Sequence, residues 1–533
     1  MTGAATARRP GRGRRRQGRG GLGRSTAIFA AWTGVSRIAG LAREILAAAI
    51  FGTRGSINAF VIAFQVPNLL RSLVADSALS AAFIPIYTQL QEQGRHKEAQ
   101  RLVGGLIGLI SMGLGLISLL AIVTAPWVMP LFAPGLPQDL VDETVYLAQI
   151  MFPIVVLLGL TGLVAAVLQA HGEFGATAFV PVLWNVVIII GLVVAVPFVP
   201  EDDRITVYAV SIVIGTIAQL AWLLPSLRGK GPFPISLGWR SGRVRRVLIL
   251  MLPVTLGLGL INVNLLVDAV FATLVSDESP RAIDAAFRLY LLPQGVFSVA
   301  ISTVLFPTIS RLAARDDIDG MRRTLADGLR QIFFMLLPAS AFLLVLSEPV
   351  VRLVYQRGEF NADSTSLTSE ALFYFAIGLA FNGASLLVIR AFFSLQRPWL
   401  PAKVAALGVV LNIVFDAIFY RPFGTGGIPL STSLSSIITF LLLLWLLERE
   451  MGGLHRGRLI DGAVRSAVAS CVSVLLAWCT WHLLDDWLGR STIAQIVSVG
   501  GAIVAAALAY LAAAQAFEMP ELTALSRLAR PLR

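Results

Sequence analysis

Charge is scarce in this sequence: Asp, Glu, Lys and Arg make up 14% of 533 residues, whereas 56% are hydrophobic. Soluble domains carry about 25% charged residues, and no single water-solvated core could bury this much apolar surface. Polar stretches long enough to form a soluble domain are missing between the apolar runs. Cysteine is nearly absent. Cys471 and Cys479 lie in one apolar run, where thiols are expected to act as small buried hydrophobes, so no disulfide framework follows. Histidine is as sparse, with His96, His171, His455 and His482 in loops or at the ends of apolar runs, without metal-ligand spacing. The glycines form neither a P-loop nor a dinucleotide fingerprint. Catalytic residues, cofactors and ATP hydrolysis are therefore not expected.

Apolar runs of membrane-spanning length fill the rest of the chain, since about 20 residues at 1.5 Å each cross a hydrocarbon layer of roughly 30 Å. The pattern predicts an all-α integral membrane protein of about fourteen helices, at 26–50, 57–90, 101–124, 138–170, 177–199, 205–227, 246–275, 281–313, 329–355, 366–395, 399–420, 426–447, 463–485 and 492–516. Ala47-Ala48-Ala49 imitates a signal-peptide cleavage site, but Arg37 and Arg43 interrupt the stretch before it and argue against cleavage. Residues 1–25 read as a basic disordered tail, with eight arginines and no acid in the first 24. Such a tail suits anionic lipid headgroups at the cytoplasmic face better than nucleic acid.

Basic loops fix the expected orientation. Arg228, Lys230, Arg240, Arg243, Arg245 and Arg246, together with Arg95/Lys97, Arg322/Arg323 and Arg456/Arg458, all fall on one side, expected to be the cytoplasm. Acidic loops such as Glu201-Asp202-Asp203 fall on the other. Both termini are then cytoplasmic, with Arg527, Arg530 and Arg533 in agreement. Pro85 and Pro126 stand 41 residues apart, and Pro307 and Pro349 stand 42 apart, each pair bracketing a loop and one span. That spacing suggests two parallel six-helix repeats. The expected organisation is an N-lobe at 26–227, a basic linker at 228–245, a C-lobe at 246–447, two appended helices at 448–516 and a cytoplasmic tail at 517–533.

Ionisable residues inside spans carry the function, because a charge at mid-bilayer costs roughly 2.5–3.5 kcal/mol on insertion scales. Arg37, Arg43 and Glu44 lie in the first span, Arg71 in the second and Arg288 in the eighth. Arg37 and Glu44, seven residues apart on one helical face, could form a local pair. Four arginines against one acid still leave excess positive charge. Guanidinium captures phosphate oxygens in bidentate fashion, so a pyrophosphate is the expected ligand.

The segments Ser36-Arg37-Ile38-Ala39-Gly40-Leu41-Ala42-Arg43-Glu44, Ala63-Phe64-Gln65-Val66-Pro67-Asn68-Leu69-Leu70-Arg71 and Ala82-Phe83-Ile84-Pro85 resemble the signature of the MurJ (MviN) family. So do Arg288-Leu289 with Pro293-Gln294-Gly295, Leu305-Phe306-Pro307, Ala133-Pro134-Gly135 and Arg357-Gly358-Glu359-Phe360. The resemblance implies a lipid II flippase of the multidrug/oligosaccharidyl-lipid/polysaccharide exporter superfamily. Such a protein carries an undecaprenyl-pyrophosphate-linked peptidoglycan precursor across the bacterial inner membrane by alternating access. It implies substrate binding by Arg37, Arg43, Arg71 and Arg288 and a lipid-tail groove at the last two helices; membrane lipids are also expected partners, nucleic acid is not, since the basic residues lie in short segments between apolar runs, and a monomeric carrier is expected. The sequence departs from the family pattern at the expected gate. Asn58 stands where many members carry an aspartate, Glu44 replaces an aspartate, and Phe287 precedes Arg288 where some members have an acid.

Asn412 and Asp416, four residues apart, share a helical face, while Asp268 and Thr432 lie near the same expected membrane depth. Their oxygens suit a hard cation. They resemble the sodium site of some family members, in which the carbonyl matching Ile428 also contributes. The other reading is a hydrogen-bond network that holds helices together. Competing functions are a related polysaccharide-lipid flippase, a cation-coupled drug antiporter and, in another class, an integral-membrane glycosyltransferase.

Overall fold

The computed structural model describes residues 17–74, 77–454 and 456–522. The tail at 1–16, His455 and the arginines beyond 522 lie outside the described residues, as does the side chain of Arg71. All regular structure among the described residues is helical. It comprises α1 (Gln17–Phe51), α2 (Ser56–Val74), α3 (Ser77–Glu92), α4 (His96–Val128), α5 (Gln138–Met151), α6 (Ile154–Ala170), α7 (Phe174–Ile190), α8 (Arg204–Leu223) and α9 (Gly242–Val275). These are followed by α10 (Ser279–Ala314), α11 (Ile318–Val345), α12 (Ser347–Tyr355), α13 (Ala362–Ser394), α14 (Trp399–Phe419), α15 (Gly424–Met451), α16 (Arg456–Leu488) and α17 (Thr492–Ala516).

Each expected span corresponds to one helix or to a broken pair, α5 with α6 and α11 with α12, and the span at 57–90 holds α2 and α3 on either side of residues 75–76, which lie outside the described residues. Among the described residues, eleven helices are long and apolar enough to cross a membrane. The other three expected spans fall on α1, α2–α3 and α9, where the shorter apolar stretches Ser56–Leu70 and Asn262–Val275 stand out. Length and composition thus support eleven crossings without establishing fourteen. The chain is a multi-pass membrane protein.

Helix ends follow local chemistry. Asp317 caps α11 by accepting from the Gly320 amide at 2.8 Å, Asn361 caps α13 through Ser364 at 2.9 Å, and Ser491 caps α17 through Ala494 at 3.2 Å. α15 stops at Gly452, whose φ of 71° is the left-handed conformation that glycine adopts without strain. Pro67, Pro85, Pro293, Pro307 and Pro429 sit inside helices. Neighbouring side chains and local adjustment can re-satisfy the carbonyls that proline frees.

The chain divides into two compact units. The first takes the described part of Met1–Leu46 with Leu70–Val123 and Gln149–Thr255; the second takes Ala47–Leu69, Thr124–Ala148 and the described part of Leu256–Arg533. This grouping reflects compactness and is a different division from the repeat lobes expected along the chain. In the first unit, α6, α7 and α8 pack around Val164, Leu168, Val180 and Leu223. α1 leans on α7 through Trp32 and Phe179, whose rings meet edge-on at 4.8 Å.

In the second unit α13 is central, packed against α10, α11 and α15. α16 and α17 pair with each other and lie on α11 and α12. Two ion pairs pin them at separate points: Arg352 to Asp485 at 2.5 Å and Arg330 to Glu521 at 2.6 Å. Tyr510 also donates to the Phe334 carbonyl at 2.7 Å. Exposed side chains on α16 and α17 include Val468, Val472, Leu475, Ile503, Val504 and Leu508, a surface that suits lipid. Cys471 and Cys479 are free and exposed on α16, so the expectation that they are buried is corrected. In a bilayer an apolar thiol needs no protein cover.

Candidate functional site

In the first unit, Arg43 and Glu44 form a buried pair at 2.5 Å, and the Arg43 guanidinium stands 4.6 Å from the centre of the Trp184 ring. An aromatic face and a carboxylate together hold this cation away from water. Arg37 is exposed. The Glu44 carboxylate thus meets its immediate neighbour Arg43, where the sequence suggested a local pair with Arg37. Arg71 lies on α2, with its side chain outside the described set.

In the second unit, the turn between α1 and α2 meets the start of α10. Gly52 has φ of 60°, and a Cβ there would stand 2.6 Å from the Glu359 carbonyl oxygen, so only glycine fits. The Glu359 amide donates to the Ala49 carbonyl at 2.9 Å, satisfying one end group of α1. Arg357 caps α12 by donating to Val354 and Leu353 carbonyls at 2.6 and 2.7 Å, and Phe360 is fully buried. These contacts explain Arg357-Gly358-Glu359-Phe360 as a packing motif. Thr53 and Ser364 hydroxyls meet at 2.7 Å, and Arg54 pairs with Glu278 at 2.7 Å and Asp363 at 3.3 Å.

Asn58 is fully buried and acts in both directions. Its Nδ2 donates to the Thr53 carbonyl at 2.7 Å and the Gly55 carbonyl at 3.3 Å, while its Oδ1 accepts from the Arg281 amide at 2.9 Å. α10 has no side-chain cap of its own at Glu278, so Asn58 caps it from another helix. An aspartate could accept but not donate. Asn58 is therefore a neutral cap here, and the nearby ion pairing passes to Arg54.

One turn further along α10, Asp284 Oδ2 accepts from Arg281 Nη1 at 3.0 Å and Arg288 Nε at 3.0 Å, and its Oδ1 accepts from Arg288 Nη2 at 3.2 Å. Phe287 stacks with Tyr290 at 5.7 Å and meets Phe375 at 5.5 Å. The acid facing Arg288 thus comes from Asp284 and not from the preceding position. Arg281 and Asp284 therefore join Glu44 and the four expected arginines as charges inside the spans, beyond those singled out from the sequence. Their spacing from Arg288, seven and four residues on one helical face, was the available signal. Arg390 of α13, which donates to Thr303 at 3.0 Å, is a further such charge.

Asp268, Asn412, Asp416 and Thr432 come together as expected. Asn412 Nδ2 lies 2.5 Å from Asp268 Oδ1 and 2.9 Å from Asp416 Oδ2; Thr432 reaches Asp268 Oδ2 at 3.3 Å, and Asn264 adds a contact at 3.4 Å. Both carboxylates are buried, and Ile428 is buried one turn before Thr432. Two buried carboxylates around one amide repel unless a proton or cation compensates them. Asn412 Oδ1 and Asp416 Oδ1 are buried without a hydrogen-bond partner. This all-oxygen set suits a hard cation. Among the described residues no cluster of three or more His, Cys, Asp or Glu side chains occurs, so softer metals find no such cluster.

Compared with known proteins, residues 47–498 match the family model described as lipid II flippase MurJ. The chain belongs to that family. The lipid II flippase MurJ of Burkholderia cenocepacia is 30% identical over 480 residues, covering 88% of this chain and 92% of that protein. A probable lipid II flippase MurJ of Vibrio cholerae is 27% identical over 501 residues, covering 92% and 95%. Among solved structures, a lipid II flippase MurJ in an inward closed conformation superposes with a TM-score of 0.77 at 24% identity, covering 92% of this chain and 98% of that one. An inward-facing multidrug resistance MATE transporter of the MOP superfamily gives 0.67 at 13% identity, covering 78% and 94%. MurJ membership joins the chain to the fold that the MATE carriers share.

Proposed function

We propose that this chain is a lipid II flippase that moves the undecaprenyl-pyrophosphate-linked precursor from the cytoplasmic to the outer leaflet of the bacterial inner membrane by alternating access. The observation that carries this reading is the family match across residues 47–498. Arg37, Arg43, Arg71 and Arg288 bind the pyrophosphate, since intramembrane guanidinium groups are costly unless matched by anions. The prenyl chain lies along α16 and α17, whose exposed aliphatic surface supports that role. The carrier acts as a monomer with both termini in the cytoplasm, and it transports without catalysing a covalent change. A drug antiporter would share the fold, but excess intramembrane arginine favours an anionic cargo.

Asp268, Asn412, Asp416, Thr432 and the Ile428 carbonyl hold a sodium ion in this reading. The two orphaned oxygens support it. The ion would supply positive charge between the carboxylates, which draw α9, α14 and α15 together around it. The test of the whole reading is rescue: the chain should restore growth and outward lipid II exposure in cells depleted of their own flippase, whereas Arg288→Ala, at equal abundance, should not.

A further inference from the structure

The carboxylate of Asp284 serves two cations of unequal freedom. Arg281 is enclosed, its side chain 3% exposed, while Arg288 is 36% exposed and Asp284 lies between them at 17%. Oδ2 is shared by both guanidinium groups, and Oδ1 serves Arg288. A buried guanidinium cannot leave its carboxylate without a large desolvation penalty, whereas a partly exposed one can turn to another anion. The arrangement is therefore an exchange site with one fixed and one movable partner.

We propose that Asp284 is a positioning residue: it holds Arg288 in the absence of cargo, yields that guanidinium to the cargo's pyrophosphate, and reclaims it at release, with Arg281 limiting how strongly it competes. This rests on the reading of Arg288 as a pyrophosphate ligand. The physical basis is competition between two anions for one guanidinium. A carboxylate divided between two cations grips each less than it would grip one alone, so Arg281 keeps Arg288 available. The Arg281 amide is also the group that Asn58 caps, so the same helical turn that carries the exchange is tied to the α1–α2 turn.

Two variants move cargo affinity in opposite directions. Asp284→Asn removes the competitor; lipid II should bind about tenfold tighter while turnover falls by a similar factor, because a charge-assisted hydrogen bond is lost from the release step. Arg281→Met gives Asp284 wholly to Arg288, and lipid II should bind several-fold more weakly. Asp284→Glu should restore both quantities. Binding and flipping are measured with purified full-length protein in liposomes of stated lipid II content, with melting temperature followed in parallel. If Asp284→Asn does not fold, the direction of the Arg281→Met shift and the behaviour of Asp284→Glu decide the matter. Affinity that falls in both variants along with melting temperature marks a purely structural pair and overturns the proposal. Unchanged affinity in both, with binding lost in Arg288→Ala, overturns it while leaving the pyrophosphate reading intact. Wild-type binding in Arg288→Ala overturns both.

Discussion

Asn58→Ala removes three hydrogen bonds at one fully buried point, leaving the Arg281 amide and the Thr53 carbonyl without their side-chain partner. Loss of a cap costs about 1 kcal/mol, and an orphaned buried carbonyl costs roughly 1–3 kcal/mol more. The start of α10 should therefore open more easily by about 2–4 kcal/mol, or roughly 30- to 700-fold in the opening equilibrium. Asn58→Asp should be milder. Its carboxylate keeps the bond to the Arg281 amide and gains about 0.3–1 kcal/mol from the helix N-terminus, although it cannot donate to Thr53 or Gly55. Hydrogen–deuterium exchange at the first amides of α10, read against α13 as an internal reference, measures the change. Identical exchange in wild type and Asn58→Ala, or greater opening in Asp than in Ala, would refute the capping argument.

Two other perturbations follow from the buried charges. Asp485→Ala takes from the buried Arg352 guanidinium its 2.5 Å carboxylate partner, which should destabilise the attachment of α16 and α17 by about 3–5 kcal/mol and expose the α16–α17 connection to protease; unchanged proteolysis and melting would contradict it. Replacing choline with sodium at fixed ionic strength should raise the melting temperature of wild type but not of Asp416→Ala, with about 2.7 kcal/mol of stabilisation at a hundredfold excess over Kd. A sodium-indifferent wild type would leave the Asp268 network as a helix-joining contact only.

Much of the fold was legible because lipid imposes a simple rule: about 20 apolar residues make a span, and nearly every run found in the sequence is a helix in the structure. Breaks within long runs were less visible. The boundary between α11 and α12 falls at Leu346, inside an apolar run whose only mark of a break is Ser347-Glu348-Pro349 just after it. The cation set was legible because Asn412 and Asp416 share a helical face and oxygen chemistry. Convergence with Asp268 and Thr432, 144 and 164 residues from their partners, is suggested by shared expected membrane depth and by resemblance, while the contacts themselves need the packed helices. The arginine site was half legible. Arg288 is legible as an intramembrane charge, whereas its partner Asp284, four residues earlier near the start of the span, is recognised only from the contact that α10 makes between them. Asn58 looked like a lost charge; its ability to donate and accept at once emerges only when Thr53, Gly55 and Arg281 surround it.

Outward carriage of lipid II and capture of its pyrophosphate by intramembrane guanidinium groups are tested together in one assay. The most direct measurement is outward exposure of lipid II in cells depleted of their own flippase and supplied with wild-type chain or with Arg288→Ala at matched membrane abundance. Wild type should restore exposure, and Arg288→Ala should leave it near background. Exposure at wild-type levels in the variant would contradict the arginine mechanism, and background exposure with a well-expressed wild-type chain would contradict the function itself.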